Sequence, residues 1–147
     1  MKTLVVDASV AIKWVVDEPG TDDALALRRH RLSAPDLLIP ECANILWKKV
    51  RRNELTEQEA MLAAGLLQRA ELDLVPTRRL LEPATRLAIA LDHPAYDCIY
   101  LALAVASGWD FVTADQHLCT KVRDRRLPAR VLSLAESLDC LNEGTGP

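Results

Sequence analysis

Asp7, Glu41, Asp97 and Asp115 lie far apart in the chain, yet each stands at the end of a strand-like run or near the start of a helix-like one. Thr3-Leu4-Val5-Val6 is a β-branched and apolar run that stops at Asp7, and Phe111-Val112-Thr113 is a similar run followed by Ala114 and Asp115. Both read as buried strands ending at a carboxylate. In an open parallel sheet, ligands gather beyond the carboxyl ends of the strands, so both side chains are expected in one crevice. Glu41 follows Pro40, a residue that a helix tolerates only in its first turn, so Glu41 falls close to a helix start. Asp97 opens the segment 96–107, which is apolar on nearly every face and reads as a buried central helix. Its carboxylate is expected to be buried, which is costly unless it is paired or bound to a metal.

Taken singly, Asp7 and Asp115 also fit N-caps, and Glu41 fits a complement to a helix dipole. Brought together, the four change character. Carboxylate oxygens are hard donors suited to Mg2+ or Mn2+, and a cluster with no Lys or Arg inside it repels itself without a cation. One or two such ions can acidify water, orient it toward a phosphodiester and neutralise the leaving oxygen, so the reaction class is phosphodiester hydrolysis. Ser9 and Thr113, each two residues from an acid, can orient a carboxylate, a water or a phosphate oxygen, or serve as local caps. Asn44, one turn after Glu41, can hold it by a hydrogen bond or make a polar contact in the core.

The intervening segments must carry these residues into register. Residues 8–16 have helical composition, closed by Asp17-Glu18-Pro19-Gly20. Thr21 is a candidate N-cap for a helix running to the Arg28–Arg31 cluster, and residues 32–34 suggest a short strand. A helix carrying Glu41 follows, within 35–52. Thr56-Glu57-Gln58-Glu59 has the form of a capping box for a helix to about Ala70. Residues 72–75 form a candidate strand ended by Pro76, 80–91 a helix, and 96–107 the central helix with Gly108 as its C-cap. Residues 110–113 read as a strand, 115–125 as a helix, 130–132 as an edge strand and 133–141 as a last helix; 142–147 reads as a loose tail. Strands alternating with helices predict one α/β domain, with a mainly parallel sheet flanked by helices.

Composition bounds the reading. At 147 residues and 50% hydrophobic content, one domain can bury a core. No stretch approaches ~18 consecutive apolar residues and no signal-peptide pattern opens the chain, so a cytoplasmic protein is expected. Cys42, Cys98, Cys119 and Cys140 form no C-x-x-C pair and read as reduced thiols. His30, His93 and His117 show no zinc-type spacing with them. The net charge is −3. Arg28–Arg31, Lys48–Arg52, Arg78-Arg79 and Arg123–Arg126 are nonetheless compact basic clusters, able to meet phosphates or to complement helix C-termini. Val10, Trp14 and Trp47 exceed what one small core readily takes, and fit either core packing or a partner groove.

A haloacid-dehalogenase-like phosphatase requires a second Asp where Ser9 stands, and neither a Gly-rich dinucleotide turn nor a P-loop follows the first strand. Val5-Val6-Asp7-Ala8-Ser9, Pro40-Glu41-Cys42-Ala43-Asn44, Tyr96-Asp97-Cys98-Ile99-Tyr100-Leu101-Ala102 and Val112-Thr113-Ala114-Asp115, in this order, resemble the PIN-domain ribonucleases, particularly VapC-type toxins. The resemblance implies a three-layer α/β/α PIN-like domain over residues 1–141, RNA cleavage dependent on Mg2+ or Mn2+, a homodimer, and inhibition by an antitoxin protein. It implies that Asp7 and Asp97 are the principal metal-binding acids, with Asp115 and Glu41 completing the site, and that Ser9 and Thr113 support it. A catalytically silent PIN-like module that binds RNA or protein is the alternative.

Overall fold

The computed structural model describes residues 2–142. Five strands, β1 (Thr3–Val6), β2 (Arg31–Pro35), β3 (Asp73–Val75), β4 (Asp110–Val112) and β5 (Val131–Leu132), form one sheet in the order β3-β2-β1-β4-β5. Every pairing is parallel. Eight α-helices among the described residues flank it, giving the α/β/α architecture: α1 (Ala8–Ala11), α2 (Thr21–Ala26), α3 (Leu38–Arg51), α4 (Glu57–Gln68), α5 (Leu81–Leu91), α6 (Ala95–Ser107), α7 (Gln116–Arg123) and α8 (Leu134–Asn142). Parallel strands require crossovers, and helices covering both faces explain why Leu4-Val5-Val6 of β1 and Phe111-Val112 of β4 are consecutive buried apolar residues rather than alternating.

The sheet order sets the functional geography. From β1 the chain builds outward to β2 and β3, then returns to lay β4 on the other side of β1. The crevice between the carboxyl ends of β1 and β4 is therefore the topological switch point, where open parallel sheets place their ligands. Val6 pairs with Val112, which brings Asp7 and Thr113 out side by side.

Helix α6 packs across β1, β2 and β4. Its Cys98, Tyr100, Leu101, Ala102, Leu103 and Ala104 are all buried, against Val5, Val6, Phe111 and Val112 of the sheet. Burying each side chain the size of Leu101 or Phe111 contributes about 1.5–3 kcal/mol, so this layer fixes α6 more firmly than helix propensity can. A smaller cluster of Ile12, Leu46, Ala60 and Ala63 seats the α3–α4 pair on the segment after α1. There Glu18 receives Lys13 and Lys49, each at 2.9 Å, tying the 17–20 turn to α3.

Several expectations are corrected by local chemistry. The start of α2 is capped by no side chain: Gly20 takes the N-cap position at φ 91°, while the Thr21 hydroxyl donates to Val16 O and accepts from Glu18 N inside the preceding turn. The helix after β1 tightens to a 3-10 turn at Ile12, and a second 3-10 turn over Leu27–Arg29 ends the α2 segment, so Arg31 opens β2. Val10 and Trp14 belong to the core, the Trp14 indole N–H donating to Ala24 O at 2.9 Å, whereas Trp47 is exposed. The Thr56–Glu59 capping box forms as predicted, with both hydrogen bonds at 3.0–3.1 Å. All four cysteines are free, and Cys42, Cys98 and Cys119 are buried. Asn142 closes α8, and the rest of the expected tail, 143–147, lies outside the described residues. No single helix among the described residues is long and apolar enough to cross a membrane.

Two glycines give opposite expectations. Gly108 ends α6 at φ 69° with open space around a Cβ, so Gly108→Ala should destabilise by about 1 kcal/mol through backbone strain alone. Gly65 lies inside α4, where a Cβ meets only the tip of Arg69 at 3.4 Å, so Gly65→Ala should stabilise by about 0.5–1 kcal/mol. Chemical denaturation of the two variants checks both signs.

Candidate active site

Asp7 caps α1 from the end of β1 and is only 7% exposed. Its Oδ1 accepts from Val10 N at 3.2 Å and from the Ser9 hydroxyl at 2.5 Å, and its Oδ2 accepts from the Thr113 hydroxyl at 2.5 Å. Both hydroxyls are used twice: Ser9 Oγ accepts from Ala114 N and Thr113 Oγ1 from Asp115 N, each at 3.1 Å. Capping leaves the carboxylate one free acceptor position, on Oδ2, because it has about four such positions and only three donors fill them. Burial, offset by these hydrogen bonds and reinforced by the charge of Asp97, pushes the Asp7 carboxyl up to about 6.

Glu41 sits in the first turn of α3, half-buried, and its Oε1 accepts from Tyr100 Oη at 2.6 Å. Tyr100 is 1% exposed, and its ring lies parallel to Phe111 of β4 with centroids 5.8 Å apart, so the hydroxyl that holds Glu41 is itself immobilised by the core. Burial raises the Glu41 carboxyl, the Tyr100 bond lowers it, and the charge of Asp97 raises it again. The Tyr100 hydroxyl is pushed strongly upward by its own burial and by Glu41, so it stays a donor.

Asp97, in the first turn of α6, is not the buried acid of the set: its side chain is 33% exposed. The apolar faces of α6 turn to the sheet, while the position at the helix mouth opens to solvent. Asp97 Oδ2 lies 2.6 Å from His93 Nε2. Asp115 is the N-cap of α7, accepting from Leu118 N at 3.2 Å, and it joins Asp7 through the shared Thr113 hydroxyl. The charge of Asp97 reaches both Asp7 and Glu41, which brings these three acids into one electrostatic neighbourhood. Asn44 is exposed, so it makes no polar contact in the core, and the side chain that donates to Glu41 is Tyr100 rather than Asn44. Tyr100 and His93 are the residues that sequence reasoning missed; the H-x-x-x-D spacing of His93 and Asp97 was a usable signal, whereas nothing local links Tyr100 to Glu41.

The donor set fits a hard cation. Mutually repelling carboxylates, one of them buried and pushed upward, gain from a divalent ion nearby. No three Asp, Glu, His or Cys among the described residues are close enough to cage a bare ion, so a cation here would have to keep waters in its shell. The adjacent thiols do not suit a soft metal, because burial pushes Cys42 up to about 12 and Cys98 up to about 11.

The Asp7 shift has a defined sign. Its folded value of about 6 lies above the ordinary 3.8, so its contribution to stability is full below about pH 3.8, is lost as pH rises toward 6, and stays lost above. The shift corresponds to at most about 3 kcal/mol. In chelator, the stability of the wild type relative to Asp7→Asn should fall between pH 4 and 6 and level off above; denaturant titrations at several pH values measure this. A pH-independent difference contradicts it.

The family profile described as PIN domain matches residues 4–123. Ribonuclease VapC3 of Pyrobaculum aerophilum is 33% identical over 125 residues, covering 80% of this chain and 93% of that protein. Among solved structures, PAE2754 of Pyrobaculum aerophilum superposes with a TM-score of 0.71 at 23% identity, over 97% of this chain and 90% of the other. VapC20 of Mycobacterium tuberculosis, a Sarcin-Ricin loop cleaving toxin, gives 0.61 at 14% identity, over 86% and 98%. VapBC2 of Rickettsia felis, bound to a promoter DNA fragment, gives 0.64 at 9% identity, over 89% and 98%. The structural likenesses support the fold, and the sequence matches identify the lineage: this chain belongs to the PIN-domain family, among its VapC-type members.

Proposed function

We propose that this chain is a metal-dependent endoribonuclease of the toxin type, using Mg2+ or Mn2+ at the acidic mouth of the β1–β4 crevice. The observation that carries the reading is Asp7, buried at the switch point with its Ser9 and Thr113 donors, within reach of the charge of Asp97, which also reaches Glu41. Asp7, Asp97 and Asp115 would hold the cation, in part through its own waters, with the oxygens their hydrogen bonds leave free. A divalent ion bound there would supply Lewis acidity toward water and positive charge beside the phosphodiester. Ser9 and Thr113 fix the Asp7 rotamer. Glu41 keeps Oε2 free to orient the attacking water and accept its proton, an assignment suited to a carboxyl raised by burial.

RNA is the substrate in this reading, and an antitoxin protein and a second copy of the chain are the partners, in the cytoplasm. Exposed Ile39 of α3 and Leu74 of β3 line one apolar groove with Leu46 and Leu67, and exposed Leu62 and Leu66 of α4 line a second hollow beside Glu18 and Lys49. This favours the partnered state.

Asp97→Asn should abolish RNA cleavage while leaving the fold intact, since an amide is a poorer ligand for a hard ion, and Tyr100→Phe should reduce it roughly 10–100-fold by freeing Glu41. Both are measured on partner-free protein with a broad RNA panel in Mg2+ or Mn2+, with circular dichroism as the control. Intact RNA from folded, metal-binding wild type would instead favour the catalytically silent module. Light scattering should give a dimer alone and a larger assembly with the neighbouring gene product; a monomer that ignores that product contradicts the partner assignment.

A further inference from the structure

His93 precedes α6, beside Pro94, and its side chain is only 7% exposed. Its ring is addressed from both sides. Nε2 lies 2.6 Å from Asp97 Oδ2, and Nδ1 lies 3.4 Å from Lys121 Nζ on α7. The same ammonium donates to Asp92 O at 2.7 Å, and Arg125 of the following turn donates to Ala90 O at 2.9 Å, so this edge of α7 clamps the α5–α6 corner. The corner needs holding, because Asp92 sits in the left-handed region at φ 50° without being glycine.

A lysine ammonium can only donate, so Nδ1 must accept, and the ring proton is placed on Nε2, facing Asp97. One oxygen of Asp97 is thereby engaged, and the carboxylate is held in one rotamer with Oδ1 left over. A carboxylate one-third exposed and lacking such a partner samples several rotamers and must be ordered when it takes up a ligand.

We infer that His93, its tautomer set by Lys121, is a positioning residue that aims Asp97 Oδ1 at the cation. The inference rests on the reading of Asp97 as a metal-facing acid. Nothing in it requires His93 to touch RNA or to change protonation during turnover. Hydrogen-bonded partners of this kind typically alter metal affinity by roughly 10–100-fold when removed.

The test compares two amides of different reach in the full chain. Gln at position 93 can place an N–H near the position of Nε2, whereas Asn is too short to reach Asp97. Mn2+ affinity is read without RNA, from the electron paramagnetic resonance signal of free Mn2+, and thermal melts in chelator confirm folding. His93→Gln should stay within a few-fold of wild type, and His93→Asn should bind Mn2+ roughly 10–100-fold more weakly. Lys121→Met, which leaves the ring in place, should weaken binding less than His93→Asn. Wild-type affinity in His93→Asn overturns the proposal, as does an equal loss in both amides, since then the imidazole matters only as packing. If wild type itself fails to bind Mn2+, the metal assignment of Asp97 falls, and this inference with it; bound Mn2+ with no RNA cleavage leaves this inference standing while the ribonuclease reading fails.

Discussion

The structure turns on one buried carboxylate. Asp7 stands where β1 leaves the sheet, in the interior gap that the strand order opens between β1 and β4. A charge in that place is tolerable only if donors surround it, and the chain supplies two hydroxyls and a backbone amide. Those hydroxyls, having spent their protons on Asp7, present oxygens that accept the amides of Ala114 and Asp115. The exits of the two central strands are thus joined through the acid, and satisfying its charge also satisfies backbone groups that would otherwise be stranded.

The rest of the site is aimed by apolar packing. Tyr100 reaches Glu41 because its ring is fixed against Phe111, and Phe111 is fixed because it is fully buried in the core that α6 and β4 share. Polar groups on solvated loops would lose this geometry to rotamer freedom; here the core absorbs the entropic cost before any ligand arrives. The acids differ in character for the same reason. Asp7 is embedded and pushed upward, while Asp97, at the open mouth of its helix, is one-third exposed and supplies negative charge to its neighbours.

The apolar face on α3, α4 and β3 is a separate matter from the acidic crevice. A groove of about 460 Å3 there is lined by Ile39, Cys42, Leu46, Ala64, Leu67 and Leu74. Helix α3 contributes to both regions, Glu41 from its first turn and Leu46 from its middle. The Glu18 pairs with Lys13 and Lys49 hold that helix to the turn after α1.

Much of this was readable along the chain. The strand-end positions of Asp7 and Asp115, the helix-start positions of Glu41 and Asp97, the Thr56 capping box and the Gly108 stop all follow from local rules, because periodicity, proline and capping chemistry act over a few residues. The supporting hydroxyls Ser9 and Thr113 were legible for the same reason. Tertiary structure alone decided that Asp7 rather than Asp97 is the buried acid, since which end of an apolar helix meets water depends on how it crosses the sheet. It alone joined Tyr100 to Glu41 across 59 positions and Lys121 to His93 across 28, because such hydrogen bonds depend on the packing of whole layers and leave no periodic trace in sequence.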